Sequence, residues 1–257
     1  MGDISTDEIA LALDQLRGLV DKHLPKRFYP SMGLWPPIAA AMITRMADIA
    51  RSTAVLLRAD CHLDAVVMTR VMYEQAIVFC WIAADPGERL VHWQRAERAA
   101  ALKAHREASD YGLTVLTPDE VEKAKDFTGL SVWNLVREVD AFWPEKVKGF
   151  RKSSGEKAMI DILTLSGLYL GVYRVASRPI HAHPESLELS LRAKPPSSSG
   201  YVVEHVPTKK WGLVATVVPV FAMALMVHHH LFDWPDADAV RTVNQRLAWE
   251  QRSPKDG

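Results

Sequence analysis

Residues 62–84 read HLDAVVMTRVMYEQAIVFCWIAA, and this run decides the fold. Val66, Val67, Met68, Val71, Met72, Ile77, Val78, Phe79, Trp81 and Ile82 put apolar side chains on nearly every side of a helix. A helix that is apolar all round has to be wrapped by others, so the spacing predicts the central rod of an all-α bundle. Inside that rod Arg70 and Glu74 stand one turn apart, and Thr69 and Tyr73 extend the polar stripe. A buried charge without a partner is costly, so the two must pair with each other or with a neighbouring helix. Arginine ahead of glutamate is the less favourable order at this spacing, which points to a second helix.

Working outward, Asp85-Pro86-Gly87 ends the rod and starts another helix. Its Leu90, Trp93, Ala96, Ala100 and Ala104 mark an inner face, and its charges, Arg89 among them, face water. Upstream, Ser5, Thr6 or Asp7 caps a first helix carrying Ile9, Leu11, Leu13, Leu16 and Val20. A connector rich in proline and aromatic residues runs from Pro25 to Pro37, and Pro37 opens a helix through Arg58. Short helices are expected after Thr117 and around Ser131–Asp140, then a long apolar helix from Glu156 that breaks at Pro179. Leu187, Leu189 and Leu191 alternate with polar residues before a turn at Pro195–Gly200, so a short hairpin or flap is expected over 186–206. Trp211–Val227 is uncharged and interrupted by Pro219, and it reads as a buried core helix. Asp236–Trp249 reads as a final amphipathic helix.

The expected architecture is an irregular bundle of roughly seven to nine helices. It forms a single domain over 1–257: an N-terminal helix and connector at 5–35, a central bundle at 37–184, the flap at 186–206 and C-terminal helices at 211–251.

Composition narrows the function. Lys+Arg and Asp+Glu balance at 31 each in 257 residues, so no global field draws nucleic acid or an anionic membrane, although local patches stay open. Two cysteines without metal spacing and an acidic N-terminus predict a cytoplasmic protein, with no membrane span. Nucleotide-binding glycine loops, a nucleophile elbow and His-Glu-x-x-His are all missing from the chain. The tryptophans, Trp133 included, are spread over separate elements and read as core packing.

Chemistry concentrates at the end of the late helix, in Tyr169, Tyr173, Arg174, Ser177, Arg178, His181 and His183. Tyr169, Tyr173 and Ser177 share one face at helical spacing. A histidine titrating near neutrality can move a ribose proton, and an arginine fork can hold phosphate. His181 and His183 could join Glu74 and His105, or His228–His230, around an ion. Their spacing matches no metal motif, so neither a metal nor another cofactor is expected.

Arg174 and His181 fit an Arg-x(4–6)-His pattern that resembles the HEPN superfamily of helical-bundle ribonucleases, found in bacterial toxins and antiviral systems. Val175, where that superfamily carries a polar residue, and Pro179 depart from the pattern. The resemblance implies metal-independent cleavage of RNA. Arg174 would bind phosphate, His181 would act as acid or base, and Tyr173, Ser177, Glu74 and Arg70 would position them. It also implies a homodimer, a possible regulatory protein partner, and local attraction of RNA by Arg178, Arg192, Lys194, Lys209 and Lys210.

A wider resemblance rests on Arg70-x-x-x-Glu74, Asp85-Pro86 and Tyr173-x-x-x-Ser177-x-x-x-His181. It looks like a bacterial all-helical family of unknown function over roughly Ile38 to Pro184. It implies that Arg70, Glu74, Tyr173, Ser177 and His181 meet in space, and it brings no activity. The other functional class is a non-enzymatic module for a partner or ligand, in which the same cluster is structural.

Overall fold

The computed structural model describes residues 5–24, 29–114, 116–125, 129–146, 168–169, 173, 191–193, 201–203, 214–233 and 237–250. Among them lie eight α-helices and one two-stranded ladder. Helix α1 spans Thr6–His23, α2 Trp35–Arg58, α3 His62–Ala84, α4 Pro86–Ser109, α5 Pro118–Ala124 and α6 Val132–Lys146. After these come β1 Leu191–Ala193, β2 Tyr201–Val203, α7 Val217–Phe232 and α8 Ala237–Glu250.

Local chemistry sets the helix ends. The Ser5 hydroxyl accepts from the Glu8 amide at 3.2 Å while the Glu8 carboxylate accepts from the Ser5 amide at 2.7 Å, a reciprocal cap. At the close of α2, Asp60 adopts φ 56°, and the Cys61 and Asp60 amides bond back to Leu56 and Leu57 at 2.9 and 3.2 Å. This left-handed stop turns the chain so that α3 returns along α2. Asp85 accepts from the Glu88 amide at 3.3 Å and Pro86 supplies the first helical residue, so one dipeptide starts α4.

Helix α3 packs against α2, α6 and α7, which makes it the central rod. Met72, Tyr73, Ala76, Ile77, Phe79 and Ile82 are fully buried on it. By length and composition alone α3 could cross a membrane, and 61 % of its most apolar window is buried inside the fold. In α7, Val217, Val218, Val220, Phe221 and Leu225 enter the same core. The uncharged run breaks at Thr216, between helical Val214–Ala215 and α7, so Pro219 falls in the first turn of α7, where its missing amide costs nothing. The hairpin is antiparallel, with Leu191 opposite Val203 and Ala193 opposite Tyr201.

Helix α4 corrects the expected inner face. Leu90 and Ala96 are buried and Trp93 half-buried, but Ala100 and Ala104 are exposed, and Leu102 is buried in their place. The first turns of α4 lie on α3, while its far half meets α5, so the buried side rotates along the helix.

Candidate functional site

Arg70 and Glu74 lie on one side of the α3 rod. The Arg70 Nη2 donates to Glu74 Oε1 at 3.2 Å and to the Tyr173 hydroxyl at 3.3 Å. The guanidinium carbon stands 4.8 Å from the centre of the Tyr173 ring, a cation–π contact. Both of the arginine's alternatives are therefore taken together: the turn-spaced ion pair and the link to a distant helical segment.

An aromatic stack continues from there. The Tyr173 and Tyr169 rings lie 4.9 Å apart at 15°, and Tyr169 lies 5.1 Å from Trp133 on α6. Tyr73 of α3 approaches Tyr173 at 5.9 Å. Tyr169 and Tyr173 both adopt the wide π-helical geometry, a rare form that recurs at functional sites. Rings in an offset ladder of this kind hold one another's orientation, so α3, α6, Tyr169 and Tyr173 are fixed mutually.

The electrostatics follow from half-burial. The Arg70 and Glu74 side chains are 17 % and 32 % exposed. Burial works against the Arg70 charge, but hydrogen bonds to Tyr173 and Glu74 and the Glu74 charge outweigh it and hold the guanidinium above its ordinary range. Burial, and then the hydrogen bond with Glu74, push the Tyr173 phenol up, partly opposed by Arg70. The phenol is thus a neutral donor and acceptor over the whole physiological range. Arg70 Nε is buried and makes no hydrogen bond among the described residues, so part of the guanidinium's donor capacity is unspent there.

Of the residues singled out in the sequence, Arg70, Glu74 and Tyr173 come together here. Arg174, Ser177 and His181 lie outside the described residues, as do Arg178 and His183. Thr69 and Tyr73 turn inward and are fully buried, with the Thr69 hydroxyl donating to the Ala65 carbonyl at 2.9 Å. Among the described residues no group of three or more His, Cys, Asp or Glu side chains could hold a metal ion. His105 Nδ1 instead accepts from the Leu116 amide at 3.1 Å, and His228 is buried against Phe79 and Phe232.

Two contributors escaped the sequence reading. Trp133, assigned to core packing, is half-buried and carries the end of the aromatic ladder. Arg89, assigned to solvent, donates to the Trp81 carbonyl at 2.9 Å and pairs with Glu138 at 3.2 Å. Neither had a local signal, because each is defined by a partner on another element.

No curated protein and no solved structure matches the chain. A family model described as a family of unknown function, DUF5677, matches residues 38–197, more than half of the chain and a span that holds all six candidate site residues. The protein belongs to that family.

Proposed function

We propose that this chain is a non-enzymatic helical module that binds a partner or small ligand, with Arg70, Glu74 and Tyr173 as the polar network that orders its binding face. One observation carries this reading. The Arg70 charge is already balanced by Glu74 and stacked on Tyr173, so the described part of the cluster is bonded within the protein before any ligand arrives. Overall electroneutrality agrees, since an RNA-handling surface would need a local excess of cations.

A second reading is a metal-independent ribonuclease of a toxin or antiphage system, acting as a homodimer. The position of Tyr173 favours it, because that residue directly precedes Arg174 in the sequence and sits at the Arg70–Glu74 pair. In this reading Arg174 holds the scissile phosphate and His181 moves the proton, while Tyr173, Ser177, Glu74 and Arg70 orient them.

One experiment separates the two: RNA cleavage by the purified protein with EDTA present, comparing the parent with His181→Ala. The module reading expects both to be equally inert. Cleavage by the parent that is lost by about a hundredfold or more in His181→Ala would establish the nuclease and remove the module reading.

A further inference from the structure

Helix α5 packs on the far half of α4, and the residues buried there, Leu102 of α4 and Ala124 of α5, lie outside the main core. The chain between the two helices is shaped at both ends. Gly112 at φ 74° closes α4, with the Leu113 and Gly112 amides donating back to the Ala108 and Ser109 carbonyls at 3.1 and 3.0 Å. At the start of α5 the Glu120 amide donates to the Thr117 hydroxyl at 3.4 Å, and the Thr117 amide donates to the Glu120 carboxylate at 2.9 Å.

Between those ends one side chain ties the connection to α4. His105 is half-buried, and its Nδ1 accepts from the Leu116 amide at 3.1 Å. An imidazole that accepts at Nδ1 carries its proton on Nε2, so this lone pair is the one that acid protonates. The imidazolium has two N–H groups and no acceptor. The Leu116 amide therefore loses its partner in the same step that charges His105.

The charges around the contact leave that step to His105. One turn to either side on α4 stand Ala101, Leu102, Ala108 and Ser109, none of which carries a charge, while Lys103, Arg106 and Glu107 are exposed. On α5, Asp119 pairs with Lys123 and Glu122 with Lys125. Glu120 stands beside Leu116, and hydrogen bonds from the Thr117 amide and hydroxyl hold its carboxyl below the usual range.

We propose that His105 is an acid-released latch. Neutral, it holds Leu116 and docks α5 on α4; protonated at Nδ1, it lets both go and uncovers Leu102 and Ala124. The contact it guards is small, so one hydrogen bond governs how often it opens.

Amide hydrogen exchange of the full chain at about pH 8 and about pH 5, each normalised to the unstructured-chain rate at that pH, tests it. On acidification the parent is expected to lose protection at Leu116 and through α5 by about tenfold relative to the amides of α3. His105→Asn places an amide oxygen where Nδ1 stands, an acceptor at either pH, so its protection there should not change with pH. His105→Leu offers no acceptor and should be open at both. Loss of the pH dependence in both variants establishes the latch. Unchanged protection in the parent, or a pH-dependent loss that persists in either variant, overturns the proposal. A loss shared equally by α3 would assign the change to the whole fold and overturn it as well.

Discussion

Two arginines along the α3–α4 arm hold a glutamate at the same distance. Arg70 Nη2 lies 3.2 Å from Glu74, and Arg89 Nη2 lies 3.2 Å from Glu138. Each also stacks on an aromatic ring, Tyr173 at 4.8 Å and Trp81 at 5.2 Å. The surroundings differ. Arg89 ties α4 to α6, and its Nη1 satisfies the Trp81 carbonyl in the last turn of α3, a group the helix itself leaves without a partner. Glu138 Oε2 also accepts from the Trp81 indole at 2.7 Å. Arg70, by contrast, pairs with Glu74 on its own helix and with Tyr173, and among the described residues both bonds leave from one nitrogen. The C-terminal end of α3 is clamped, and its middle is bonded with capacity to spare. A polar cluster that only holds a fold is expected to look like the first, and one that also receives something like the second.

The sharpest break of this contrast lies at the clamped end. Trp143 is buried and its indole donates to the Cys80 carbonyl at 2.8 Å. Trp143→Ala is expected to cost about 3–5 kcal/mol in urea unfolding, through lost packing and an orphaned carbonyl.

Acid should find the same end next. His228 stacks near Phe79 of α3, and burial, helped by the neighbouring His229, pushes its pKa from 6.5 down to about 4. The unfolded chain therefore takes up the proton first as pH falls. The contribution is complete above pH 6.5 and declines as the pH drops towards 4, by about 3 kcal/mol at most. Unfolding midpoints measured across that range should fall with acid in the parent and much less in His228→Leu.

The two arginines give the smallest and most direct comparison. Arg89→Ala is expected to cost about 2 kcal/mol, because it uncaps a helix carbonyl and leaves Glu138 with the indole alone. Arg70→Ala should cost about 1 kcal/mol, as expected for a partly exposed pair on a single helix. Equal costs in denaturant titrations would mean that the Arg70 cluster is as structural as its counterpart.

Much of the bundle was legible in the sequence because it is governed by near neighbours. The bounds of α3, a cap among Ser5, Thr6 and Asp7, and the Asp85-Pro86 helix start all follow from residues within four positions of one another, and the structure selects Ser5 as the cap. Periodicity failed where it had to fail. It names a helix face without saying which neighbour each turn meets, so Ala100 and Ala104 read as inward although the buried side has rotated to Leu102 there. The candidate site was legible as a set of residue types, with Arg70 and Glu74 visible as charges inside an apolar rod.

What the sequence by itself determined is the all-helical architecture, the central place of α3 and the need for its charges to find partners, since helix propensity, capping and burial act over a few residues. Only the tertiary structure decided who those partners are. Arg70 and Tyr173 are 103 positions apart, and Trp81 and Glu138 are 57. Contacts at such separations depend on how whole helices rotate and slide against one another, which no local pattern encodes.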